Sequence, residues 1–141
     1  MSDPMNALDR PEIAAHEGLW TRRFMLFLRA MAVLSLIKGL YHWAMVVGIG
    51  QGPFSAFETS STAWQAATIY FAVIDLVAAV GLWLAAAWGG VVWLTASISM
   101  VAIELMFPQV YGGHIWVIGG VLAMLVAYFV LTVAAARERP D

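Results

Sequence analysis

Cysteine is absent from the sequence. Disulfides, thiol catalysis, thiolate-held metals and palmitoylation are therefore excluded, and the redox state of the compartment leaves no trace. Charge is also scarce. Only 11% of the 141 residues are charged, against about 25% in soluble domains, whose surfaces must face water. The net charge is -2, and no basic patch could track a phosphate backbone, so nucleic acid is not an expected partner. No P-loop, Gly-x-Ser-x-Gly or His-Glu-x-x-His motif is present. The nearest approach to a nucleophile beside a base is Ser35, one turn before Lys38, and its hydroxyl more simply bonds its own helix. The chain is not expected to be an enzyme, and no cofactor is expected.

What the sequence has in abundance is apolar surface: 62% of residues are hydrophobic, and the mean hydropathy is +0.83. A chain this short with so few charges cannot cover a water-facing exterior, so the lipid bilayer is its expected solvent. Four apolar stretches stand out, at about 24–47, 64–88, 90–107 and 114–136. Each is near the roughly 20 residues that a 30 Å hydrocarbon core demands. Only helices satisfy their own backbone groups at that length in lipid. The expected fold is all-α, a four-helix antiparallel transmembrane bundle over 24–136, with a short cytoplasmic N-terminal segment (1–23) and a cytoplasmic tail (137–141).

The connections differ in chemistry. Asp9-Arg10-Pro11-Glu12 has the spacing of a helix start. Residues 48–63 form a loop rich in Gly, Ser and Thr, ending with Thr62 and Gln65 spaced as a capping box. Gly89-Gly90 is expected to make the tight turn between the second and third helices, and 108–113 joins the third to the fourth. No internal repeat is present.

Orientation follows from arginine. Arg22 and Arg23 flank the first helix, Arg137 and Arg139 follow the last, and the two expected outer loops contain neither Lys nor Arg. The positive-inside rule then places both termini in the cytoplasm. Arg29, about 8 Å into the first helix, can snorkel to the same headgroups and is the fifth expected interfacial anchor. Trp20, Trp83, Trp88 and Trp93 would form an inner aromatic belt, and Trp43, Trp64 and Trp116 an outer one. Thr21-Arg22-Arg23-Phe24 is not read as a twin-arginine signal, because its leader is long, Lys38 interrupts the apolar region and no cleavage site follows.

Lys38, Asp75 and Glu104 fall inside three different spans at one expected height, roughly 18–21 Å from the inner boundary. A charged residue near the bilayer centre costs about 2.5–3.5 kcal/mol even on lenient insertion scales. The three should therefore face inward and meet, with His42 on the same stripe as Met31, Ser35 and Lys38. One amine with two acids leaves Lys38 to pair with one carboxylate while the other holds a proton. His42 and His114 could together hold a haem or metal, although no second His pair accompanies them. Gly119, Ala123 and Ala127 form a small-residue ridge on the last helix, suited to close packing.

Trp88-Gly89-Gly90-Val91-Val92-Trp93-Leu94, Phe107-Pro108-Gln109-Val110-Tyr111-Gly112-Gly113 and Ala136-Arg137-Glu138-Arg139 carry a resemblance. From Phe24 to Arg139 the chain resembles a family of short, uncharacterised four-helix proteins of alphaproteobacteria, classed as a domain of unknown function. The resemblance implies a bacterial inner-membrane location and no particular activity. Small size, the small-residue ridge and the lack of a substantial soluble domain make the expected role a non-catalytic accessory or scaffold subunit, partnered by lipid and by itself or a larger membrane complex. The alternative is a proton- or ion-coupled transport component using Lys38, Asp75, Glu104 and His42.

Overall fold

The computed structural model describes residues 18–50, 56–112 and 114–138, and among these it is all-helical. In chain order the helices are α1 (Leu19–Val46), α2 (Ala56–Thr59), α3 (Thr62–Trp83), α4 (Ala87–Met106), α5 (Pro108–Tyr111) and α6 (Ile115–Arg137). The expected helix start at Asp9 lies outside the described residues, as does Arg139. The four long helices contain 28, 22, 20 and 23 residues, and each is long and apolar enough to cross a membrane. At 1.5 Å per residue they run about 30–42 Å, against roughly 30 Å of hydrocarbon.

Two helix ends share one device. After α1, Gly48 takes the left-handed conformation (φ 72°). There the Ile49 N–H donates to Ala44 O at 2.9 Å and the Gly48 N–H to Met45 O at 3.4 Å. This is the Schellman pattern, which satisfies carbonyls orphaned at the last turn. The same pair of bonds closes α3, where Ala86 N–H donates to Gly81 O and Ala85 N–H to Leu82 O, both at 3.0 Å. Here the left-handed residue is Ala85 (φ 51°), a conformation that costs an L-residue with a Cβ about 1–2 kcal/mol.

The turn between α3 and α4 therefore occupies Leu84, Ala85 and Ala86, and the expected turn at Gly89-Gly90 is corrected. Both glycines belong to the first turns of α4 and are buried. Their purpose is approach: a Cβ on Gly89 would overlap the Gly81 backbone, and one on Gly90 would meet Tyr128 Oη at 2.5 Å. At the start of α3 the N-cap is Ser61, whose Oγ accepts from Trp64 N–H, in place of the expected Thr62. Gln65 Nε2 reaches back to Phe57 O (2.9 Å) and Ser60 O (3.2 Å), tying the preceding turn to the helix.

Packing is uneven. α1 lies along α3 through small residues: Ala32, Ala72, Ala78 and Ala79 are buried, and a Cβ on Gly39 would meet Leu76 Cδ2 at 2.8 Å. Toward the α3–α4 turn (the near end), Leu28, Met31, Ala32, Ala78, Leu82 and Trp93 form the core, with Phe24, Phe27 and Tyr128 around them. Trp93 meets Tyr128 at 5.4 Å and Phe27 edge-on at 6.5 Å between centroids. It is 5% exposed, so it is a core residue and not the interfacial one expected from its place in sequence. α6 joins the others mainly through this end. Ala135 is its single buried residue, and its Gly119 and Gly120 have no atom within 4 Å of where a Cβ would stand.

Exchanging the roles of two small residues checks the turn. Gly89→Ala should lower stability by about 1–3 kcal/mol through overpacking on Gly81. Ala85→Gly should raise it by about 1 kcal/mol by relieving the left-handed alanine. Thermal unfolding of the detergent-solubilised protein measures both.

Candidate functional site

α1 supplies the chain's single lysine, Lys38, at the point where Gly39 lets Leu76 of α3 come close. Asp75, the neighbour of Leu76, thereby reaches it. Lys38 Nζ donates to Asp75 Oδ1 at 3.3 Å and lies 3.2 Å from Oδ2. The carboxylate is nearly sealed, with a side chain 3% exposed against 36% for Lys38. Oδ2 accepts no hydrogen bond among the described residues, and the ammonium stands beside it. The ammonium also lies 4.8 Å from the Phe71 ring centroid, within cation–π range.

His42 stands one turn beyond Lys38 and is buried. Its Nδ1 donates to Lys38 O at 2.9 Å. A carbonyl can only accept, so the proton must be on Nδ1, and in the neutral ring Nε2 is the acceptor. The imidazole lies against Phe71, with centroids 5.7 Å apart.

These groups line a cavity of about 650 Å³ between α1, α3, α4 and α6. Ser35, Thr68 and Ser97 are its other buried polar residues, and Met31, Met45, Met100, Met124, Trp64 and Trp93 supply much of its apolar wall. It lies on the far side of the aromatic core, where α6 stands away from its neighbours.

Glu104 is not part of this cluster. It is buried, but its Oε2 accepts the backbone N–H of His114, the N-cap residue of α6, at 3.1 Å. The expected common height fails because the α3–α4 turn comes several residues earlier than Gly89-Gly90. From that turn Asp75 stands about 12 Å up α3, while Glu104 stands roughly 25 Å up α4. The imbalance of one amine with two acids is thus resolved by separation. Lys38 pairs with Asp75, and Glu104 accepts from the start of α6.

The two histidines are likewise differently employed. His42 lines the cavity, whereas His114 is exposed beside Gly112. Among the described residues no group of three or more His, Asp or Glu is placed to hold a metal. Ser35 and Lys38 both border the cavity. Lys38 Nζ is directed to Asp75, and no hydrogen bond joins it to Ser35 among the contacts of the described residues.

The chain belongs to the family of unknown function DUF6163. The family model matches residues 22–139, which take in Lys38, His42, Asp75 and Glu104. No curated protein and no solved structure matches the chain.

In this DUF6163 chain the arginines expected as anchors are exposed where described. The Arg29 guanidinium carbon lies 4.7 Å from the Trp83 ring centroid, and that of Arg23 lies 5.1 Å from Trp20. Arg22 and Arg137 are exposed at the start of α1 and the finish of α6. One polar contact was missed in sequence. Glu138 accepts from Trp20 N–H (3.2 Å), Thr21 N–H (3.1 Å) and Thr21 Oγ1 (3.3 Å), capping α1 from the opposite end of the chain. Gly18 allows it, because a Cβ there would overlap the Glu138 carboxylate. The only sequence signal is a helix start without a local cap, which demands an acceptor from elsewhere.

Removing one member of the buried pair should cost more than removing both. Lys38→Met strands Asp75 and should destabilise by about 3–5 kcal/mol, whereas Lys38→Met with Asp75→Leu should recover most of that loss. Denaturation of the purified variants, read by helical circular dichroism, tests the difference.

Proposed function

We propose that this DUF6163 chain is a small multi-pass protein of a bacterial inner membrane, acting as a non-catalytic accessory or scaffold subunit. The reading includes an antiparallel bundle with both termini in the cytoplasm. Its support is a chain of end-to-end contacts: Glu138 on the start of α1, Arg29 over Trp83, Gly81 against Gly89, and Glu104 on the start of α6. Arg22, Arg23, Arg29 and Arg137 all belong to the near end, the side that positive-inside bias assigns to the cytoplasm. On this reading Arg29 and Trp83 mark the inner interface. Lys38 then stands about 13 Å above it, close to the middle of the hydrocarbon.

The observation that carries the scaffold role is the free face of α6. At 100° per residue, Val117, Val121 and Met124 point one way, into the cavity. Gly119 and Ala123 point the other way, and both are exposed. Helices gain no hydrophobic advantage by associating in lipid, so small residues there serve close approach by another helix. Gly119 and Ala123 of the small-residue ridge are thus turned outward, available to a second copy or a larger subunit. Transport is the weaker alternative, because the second carboxylate stands far from the Lys38–Asp75 pair and caps a helix.

Lack of native cysteine makes the face directly testable. Gly119→Cys in native membranes should form an oxidant-dependent crosslink, to itself or to a co-purifying protein, whereas Val73→Cys on α3 should not. Loss of every crosslinked and co-purified species would end the scaffold reading. For topology, a green fluorescent protein placed after Asp141 should fluoresce, and alkaline phosphatase at the same point should be inactive. The reverse pattern would refute cytoplasmic termini.

A further inference from the structure

The cavity beside Lys38 has features that the scaffold role does not use. Its volume of about 650 Å³ falls within the range of roughly 300–1,000 Å³ typical of small-molecule sites. Its wall is apolar, with Tyr41, Trp64, Trp93 and four methionines. Aromatic rings offer flat faces for stacking, and thioethers adapt to irregular shapes. On that wall, Lys38 is held by the almost fully buried Asp75 yet keeps about a third of its side chain exposed. An ammonium has three donors, so Lys38 can serve Asp75 and still offer an N–H to the cavity.

Charge selects among ligands. Lys38 and Asp75 cancel, so an anion entering this apolar space would bring an uncompensated charge. A neutral oxygen acceptor brings none. We propose that the cavity binds an uncharged, flat, lipid-soluble molecule whose carbonyl oxygen accepts from Lys38 Nζ: a quinone-type ring on an apolar tail. The ring lies against the methionine and tryptophan wall, and the tail leaves past Val117 and Val121 of α6, where packing is loosest. The proposal is for binding alone and includes no redox step. It does not rest on the scaffold reading, since the cavity and the Gly119 face lie on opposite sides of α6.

The test is titration of the protein in lipid nanodiscs with decylubiquinone, read by quenching of tryptophan fluorescence, with oleate as the anionic comparison. Decylubiquinone should quench saturably near one per chain, and oleate should neither quench nor compete. Lys38→Met should weaken binding about 10- to 100-fold, the loss of a hydrogen bond to a charged donor. Should that variant misfold, Lys38→Met with Asp75→Leu replaces it. Val121→Phe fills the cavity without touching a charge and should abolish saturation. Oleate binding in preference to the quinone would overturn the proposal. So would unsaturable quenching of the folded wild type, or wild-type affinity in Val121→Phe.

Discussion

The close contact of α1 with α3 is the constraint on which the remaining architecture depends, and the Lys38–Asp75 pair lies at its centre. An amine and a carboxylate inside apolar surroundings are each costly alone, and their mutual attraction offsets that cost only at short range. Short range requires backbones that approach, which explains why the seam is built from Gly39, Ala72, Ala78 and Ala79. A leucine at any of these places would push the helices apart and leave two charges without each other. The pair in turn fixes register, because sliding α3 by one turn would move Asp75 about 5 Å from Lys38.

Two helix starts are held by acids from other parts of the chain. Glu138 caps α1 across the length of the sequence, and Glu104 holds the N-cap amide of α6. Both place carboxyl oxygens at the N-terminal end of a helix, where orphaned amides need acceptors. Both also tie α6 to its neighbours, at its finish through α1 and at its start through α4. Tyr128 adds a third hold on Trp93 and Phe24, and the cavity is the space left between it and the start of α6. A helix held in this way borders the cavity on one face and leaves Gly119 and Ala123 exposed on the other.

Four apolar stretches of spanning length, and the concentration of arginine at the two ends, were plain from composition and hydropathy because both are sums over many residues. The charge cluster was only partly legible. Lys38, Asp75 and His42 do come together, but Glu104 does not. Its displacement traces to one turn whose left-handed residue is Ala85, where glycine would be the ordinary signal. The nearby glycines at 89 and 90 answer a packing demand, and spacing alone does not separate a glycine that turns from a glycine that admits a neighbour. Trp93 was misplaced for the same reason, since its depth was counted from the wrong turn.

The sequence by itself determined that this chain is helical and suited to lipid, because hydrophobicity and backbone hydrogen bonding in hydrocarbon leave no other economical form. It also determined that its few internal charges could not all stand unpaired. Only the tertiary structure decided which charges meet, which acid caps a helix and where a cavity remains. Those outcomes depend on backbone approach at glycine and alanine and on the register of one short turn. The first brings together residues far apart in the chain, such as Gly39 and Leu76, and the second follows from the fit of Gly89 on Gly81.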